Sequence, residues 1–296
     1  LGVALWTGPL AAHGGTDGLS TADAVLLGVI EGVTEYLPVS STGHLLVTQR
    51  ALGISDDPHR KTAADAYAIA IQFGAIVAVL VLYWRRLFSA VRGLVGRDPE
   101  GRRIALALLA AFVPAAVIGV VAEQLIKERL FALWPIVGAW LAGGLVILAV
   151  AAADRRSSRT PLAGMSLEQL TVGRAVGVGL LQCVAMWPGV SRSLVTILGG
   201  RLVGLSTAAA VEFSFLLGFV TLTAATVFET LKDGREMAAT LGVVAPLVGV
   251  VVAFVSAIVA VKWMVGYLQR HSLAVFGWYR LALGVLVAAL VLTRTL

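Results

Sequence analysis

Apolar residues fall along this chain in runs of two lengths. Six runs are long: Ala66–Trp84, Ile104–Ala122, Trp134–Ala153, Val211–Phe228, Leu241–Val261 and Leu273–Leu292. At about 1.5 Å of rise per residue, runs of this size match a hydrocarbon core roughly 30 Å thick, so each predicts a membrane-spanning helix. Gln72 interrupts the first of them, and Pro114 predicts a kink in the second. Four runs are short. Ala24–Leu37 and Leu45–Leu52 flank one polar tip, and Ala175–Trp187 and Leu194–Val203 flank another. Half-length helices around a polar turn predict a re-entrant hairpin, which is tolerated at membrane depth only inside protein or against a wet cavity. The expected fold is an all-α integral membrane protein with six full transmembrane helices and two re-entrant helical hairpins.

Composition agrees with this environment. Apolar residues make up 58% of the chain and charged residues 14%, with a mean hydropathy of +0.91; a soluble domain carries nearly twice that share of charge. The net charge of +6 therefore reads as Lys and Arg placed in loops to fix topology, and not as a nucleic-acid footprint. The lone Cys183 excludes an intrachain disulfide and offers no metal-site spacing. Residues Leu1–Ser20 lack a basic stretch followed by an apolar core, so they read as a flexible extension of a single membrane domain spanning 21–296.

The second half repeats the plan of the first. A shift of 150 residues lays Leu37-Pro38 over Trp187-Pro188, Ser41 over Ser191 and Thr42 over Arg192. The repeats run over about 21–156 and 172–296. A hairpin returns to the side it entered from and three spans change sides, so the second copy is expected to be inverted, a plan shared with many secondary transporters. Placing the basic loop Arg85–Arg103 in the cytoplasm puts Arg155, Arg156, Arg159, Arg174, Lys262 and Arg270 there too. The near-neutral loops Glu123–Leu133 and Glu229–Met237 then lie outside. The first hairpin enters from outside and the second from the cytoplasm, and their tips can meet.

The tips hold the candidate chemistry. Glu31 and Glu35 stand four residues apart, on one helical face, where like charges repel unless a cation or a proton lies between them. Pro38 is expected to stop that helix and Val39–Gly43 to form a loop. Ser40, Ser41, Thr42, Gly43 and His44 follow on this side, and Ser191, Arg192 and Ser193 on the other. An ionisable residue at such depth costs at least about 2.5–3.5 kcal/mol to insert, so a cluster of them calls for a use. Arg offers a planar fork that matches phosphate oxygens, and a helix opening after Pro188-Gly189 favours an anion. Carboxylates with a divalent ion, a guanidinium and an anion-binding loop fit phosphoryl transfer, with a hydroxyl or His as nucleophile or acid. Glu212 and Gln72, inside or near spans, read as cross-helix bonding partners before they read as site residues.

The stretch Glu31-Gly-Val-Thr-Glu-Tyr-Leu-Pro-Val-Ser-Ser-Thr-Gly-His44, together with Pro188-Gly-Val-Ser-Arg-Ser193, resembles the two signature motifs of the undecaprenyl-diphosphate phosphatase family, also called bacitracin-resistance proteins. The likeness runs from about Ala24 to the C-terminus and takes in Ile71-Gln-Phe-Gly and Glu212-Phe-Ser-Phe-Leu-Leu. It implies a multi-pass enzyme of the bacterial inner membrane, with its active site open to the periplasm. The implied substrate is a polyprenyl diphosphate lipid, undecaprenyl diphosphate, dephosphorylated to recycle the carrier of cell-wall synthesis. Membrane lipids are the other implied partners; a homo-oligomer stays open. The family's paired acids fall on Glu31 and Glu35, its essential His, expected to serve as acid or base, on His44, its phosphate-binding Arg on Arg192 and its proposed serine nucleophile on Ser41, with direct attack by an activated water as the alternative. Ser40, Thr42, Gly43, Ser191 and Ser193 are then the expected substrate contacts, and Glu31 and Glu35 the expected ligands of a divalent cation, Mg2+ or Ca2+. The chain departs from the family pattern at Leu194, where Gly is usual. The competing expectation is a secondary transporter or polyprenyl-lipid flippase built on the same inverted repeats.

Overall fold

Three of the long apolar runs, Ile104–Ala122, Trp134–Ala153 and Val211–Phe228, lie inside longer helices, and each of the other three overlaps one helix over most of its length. The computed structural model describes residues 20–54, 58–156, 164–240 and 244–296. Among these it forms eleven α-helices: α1 (Thr21–Thr34), α2 (Ser41–Ala51), α3 (Pro58–Leu82), α4 (Trp84–Leu94), α5 (Pro99–Leu130), α6 (Leu133–Arg156), α7 (Val172–Gln182), α8 (Arg192–Leu202), α9 (Thr207–Thr240), α10 (Val244–Leu268) and α11 (Ala274–Leu292). Six of them, α3, α5, α6, α9, α10 and α11, are long and apolar enough to cross a membrane. They bury no more than 44% of their most apolar stretch. Large apolar side chains such as Val121, Leu231 and Val259 point outward, an arrangement that water would penalise and hydrocarbon requires. The chain is a multi-pass, all-helical membrane protein. The expected N-terminal extension lies outside the described residues save for Ser20, as do the first three residues of the Leu241–Val261 run.

Three local expectations are corrected. The basic stretch Arg85–Arg103 is not a loop: it contains α4, a turn, and the first residues of α5. Leu87, Ala90 and Gly93 turn toward α5, and Gly93 has no Cβ to keep its backbone from that of Gly101 and Arg102. Asp98 accepts from the Gly101 amide at 2.9 Å and Pro99 follows at the first helical position, so α5 starts well before its apolar run. The second correction concerns α1, which ends at Thr34, short of Pro38. Glu35 caps it, with its N–H on the Glu31 carbonyl at 2.9 Å. Pro38 also disfavours a helical Leu37, which moves the break upstream. Nor is Val39–Gly43 a loop throughout, since Ser40 is the N-cap of α2.

The third correction is one of register. Ser40 (φ 74°) and Ser191 (φ 76°) cap α2 and α8, both eleven residues long. Each hydroxyl accepts the amide three residues on, Gly43 at 3.4 Å and Leu194 at 3.3 Å. Ser40 therefore corresponds to Ser191 and Ser41 to Arg192, one residue away from the 150-residue shift. The extra residue is Gly189 at φ 94°, where a Cβ would meet Ala139 and the Ile136 carbonyl at 2.9 Å.

Packing crosses between the halves. α1 lies on α10, and α7 lies on α5; α6 pairs with α11, and α3 with α9 and α10. Gly28 and Gly32 sit against Gly249, Ala253 and Ala257, while Gly179 sits against Ala111. Small residues let helix backbones approach where lipid provides no hydrophobic drive for association. These contacts fix the helices that lead into the turns after α1 and α7.

Candidate active site

The turn at 35–40 and the turn at 187–191 touch. Ser193, fully buried, donates to the Leu37 carbonyl at 2.8 Å, and Ser191 lies 3.0 Å from the Ser193 hydroxyl. Arg192 crosses from one turn to the other: its Nη2 donates to Glu35 Oε1 at 2.8 Å, and its Nη1 donates to the Ser214 carbonyl on α9 at 3.1 Å. The guanidinium lies 5.2 Å from the centre of the Tyr36 ring. A Cβ on Gly218 would overlap that guanidinium, so the glycine leaves it its place. Ser41 donates its hydroxyl proton to the other Glu35 oxygen, Oε2. One carboxylate thus holds a guanidinium on one oxygen and a serine hydroxyl on the other.

Glu31 is one helical turn below and buried. Its carboxyl faces both Glu35 and Arg192, yet its Oε1 has no hydrogen-bond partner, and neither has Arg192 Nε. A buried oxygen and a buried N–H without partners, each on a residue of this cluster, mark a place for a polar ligand. Ser40 and Ser191 hold positive φ without being glycine. Such backbone costs about 1–3 kcal/mol per residue and collects at functional sites.

The expected residues separate into groups. Glu31, Glu35, Ser41 and Arg192 are brought together. Ser191 and Ser193 reach the cluster but spend their hydroxyls on the Leu37 carbonyl. Ser40 caps α2, Gly43 is buried against Trp140, and Thr42 is exposed at the rim. His44 Nδ1 lies 2.6 Å from the Ser40 carbonyl, and its Nε2 lies 2.8 Å from the Tyr279 hydroxyl. Leu194, the departure from the family pattern, packs into the core. Glu212 and Gln72 bond across helices, to Arg86 at 2.7 Å and from Thr226 at 3.0 Å.

Sequence reasoning passed over Arg280, which is fully buried on α11. Its Nη1 donates to the Pro38 and Val190 carbonyls at 3.1 and 3.2 Å, and its Nη2 to those of Ala139 and Gly189 at 2.9 and 2.7 Å. One side chain therefore staples both turns to α6. Trp140 adds a bond from its indole N–H to the Val39 carbonyl at 3.0 Å.

Among the described residues no three His, Cys, Asp or Glu side chains gather as a metal site. Two carboxylates with one free oxygen do suit the mode in which Mg2+ takes one or two carboxylates and completes its shell with substrate phosphate and water. The residues are compatible with such an ion, and Glu31 Oε1 would be the atom to hold it.

Comparison with known proteins gives a consistent result. Residues 24–286 match the family described as bacitracin resistance protein BacA. An undecaprenyl-diphosphatase of Sorangium cellulosum is 49% identical over 266 residues, covering 90% of this chain and 84% of the relative. An undecaprenyl-diphosphatase 2 of Rhodospirillum rubrum is 44% identical over 90% of this chain and 93% of its own. An undecaprenyl-diphosphatase 1 of Burkholderia lata is 44% identical over 92% and 95%.

Proposed function

Because this chain belongs to the bacitracin resistance protein BacA family, we propose that it hydrolyses undecaprenyl diphosphate to undecaprenyl phosphate and inorganic phosphate. The observation that carries the mechanism is the shared carboxylate: Ser41 on one oxygen of Glu35, Arg192 on the other. Glu35 takes the Ser41 proton as Oγ attacks the terminal phosphorus, the P–O bond of the anhydride breaks, and undecaprenyl phosphate leaves. Its leaving oxygen is that of a phosphate monoester, which carries the negative charge without needing a proton. Arg192 binds the equatorial oxygens through donors not used on Glu35, including Nε. Water then attacks the phosphoserine, the Ser41 Oγ–P bond breaks as Glu35 returns its proton to Oγ, and the phosphate leaves carrying both protons of the water. A divalent cation on Glu31 would supply further neutralisation of phosphate charge.

The short helix pairs are read as re-entrant hairpins of two inverted repeats in a single membrane domain. Supporting this, the α1–α10 contact is answered by α7–α5, and the two serine caps share one geometry. The site is assigned to the periplasmic face of the inner membrane on the charge bias of the segments that join the apolar runs. A carrier would need its two tips to part in turn. The Arg192–Glu35 and Ser193–Leu37 bonds join them instead, which favours the enzyme.

The test is purified protein in detergent with undecaprenyl diphosphate. The expected outcome is release of inorganic phosphate and undecaprenyl phosphate, abolished in Arg192→Met with the fold retained. Movement of the lipid across vesicles without release would replace this reading with the carrier.

A further inference from the structure

We infer that His44 is a positioning residue, held in one tautomer by the Ser40 carbonyl, and that the reacting proton does not pass through its ring. The inference deepens the phosphatase reading and rests on it. A carbonyl oxygen only accepts, so Nδ1, 2.6 Å from the Ser40 carbonyl, carries the proton of the neutral ring. Nε2 is then the acceptor, and the Tyr279 hydroxyl 2.8 Å away donates to it. Both ring nitrogens are occupied by the protein, leaving neither free to meet a phosphate. Neighbouring rings fix the plane: Tyr279 stacks on His44 at 5.8 Å and 6°, and Trp140 meets it edge-on at 5.2 Å.

The atom that His44 grips explains its use. The Ser40 carbonyl receives the ring N–H and also the His44 backbone N–H, at 3.3 Å. Ser40 is the strained cap at φ 74°, and the next residue is Ser41, whose hydroxyl faces Glu35. The corresponding cap, Ser191 at φ 76°, accepts from the backbone of Val195, which has no side-chain donor. The cap therefore forms without an imidazole. The extra bond occurs only in the copy whose cap precedes the nucleophile, where a small rotation would carry Ser41 away from Glu35.

The test separates position from proton transfer. Asn at position 44 presents its Nδ2 where Nδ1 stands, whereas Gln presents its donor one bond further out. His44→Asn is expected to keep kcat within about tenfold of wild type, and His44→Gln and His44→Ala to lose more, because a true acid–base group contributes about 10²–10⁴-fold. A folded His44→Asn as inactive as His44→Ala overturns the inference. Nitrogen NMR of the wild-type ring provides a second readout: a proton on Nδ1 supports it, and one on Nε2 of the neutral ring overturns it whatever the variants do. Phosphate release by the wild type tests the underlying function separately from these results.

Discussion

The Glu35–Arg192 pair gives the most demanding prediction. The two charges meet at 2.8 Å with side chains only 7% and 12% exposed. At an effective dielectric of about 20, their gross attraction is about 6 kcal/mol. Much of this is offset by desolvation, but removing one partner leaves the other charge buried, which typically costs about 3–5 kcal/mol. Arg192→Met leaves Glu35 facing Glu31 without a counter-charge; Glu35→Gln keeps the shape and leaves the guanidinium to the Ser214 carbonyl, the Tyr36 ring and the more distant Glu31 carboxyl. Each single change is expected to destabilise by about 3 kcal/mol, a fall on the order of 5–10 °C in Tm. The double variant should be more stable than the sum of the two, with a coupling of about 2 kcal/mol. Activity should follow another rule: each single loses at least about 100-fold in kcat, since each removes a base or a charge clamp, and the double recovers none. Thermal unfolding and phosphate release on the same four proteins provide the assay. Additive destabilisation, with coupling under about 0.5 kcal/mol, or activity regained in the double variant, would refute the reasoning.

Other outcomes follow from single contacts. Arg280→Leu leaves four carbonyls of the two turns and α6 without their donor. Relief from burying the guanidinium offsets part of that loss, so the turns should separate and kcat fall by at least about 100-fold with a smaller change in Tm, read by the same two assays. Gly218→Ala pushes on the Arg192 guanidinium and should raise KM for the diphosphate more than it lowers Tm. Gly32→Val brings its side chain against the Ala253 carbonyl of α10 and should cost about 1–3 kcal/mol by overpacking, measured by thermal unfolding. If a cation binds Glu31, chelation should abolish phosphate release and excess Mg2+ restore it, while Glu31→Gln should require far more Mg2+.

Much of the fold was legible because lipid permits few solutions. Six apolar runs of spanning length needed only counting, and two breaks at Pro38 and Pro188 with polar residues beyond them located the turns. Charge at a helix break is costly in a membrane, which is why Glu35 and Arg192 could be singled out before their contact was known. Helix α4 was missed because its arginines resemble a loop, while its inward face is only Leu87, Ala90 and Gly93. The register of the second turn was missed because one inserted glycine leaves the apolar pattern untouched.

Arg280 is a different case. A lone charge in the run Leu273–Leu292 was a readable signal, but its partners were not. They are backbone carbonyls of residues 38, 139, 189 and 190, which no side-chain pattern reveals. The same holds for Tyr279, whose role appears only once α11 is placed beside His44.

The central claim is that two turns, one from each half, place Ser41 and Arg192 on a single carboxylate to break a diphosphate. Rapid quenching of purified protein with undecaprenyl diphosphate, followed by mass analysis of the Ser41 peptide, tests it most directly. The account predicts a transient phosphoryl group on Ser41 in the wild type, and in Ser41→Ala neither that adduct nor phosphate release. Phosphate release at the wild-type rate from Ser41→Ala would contradict it.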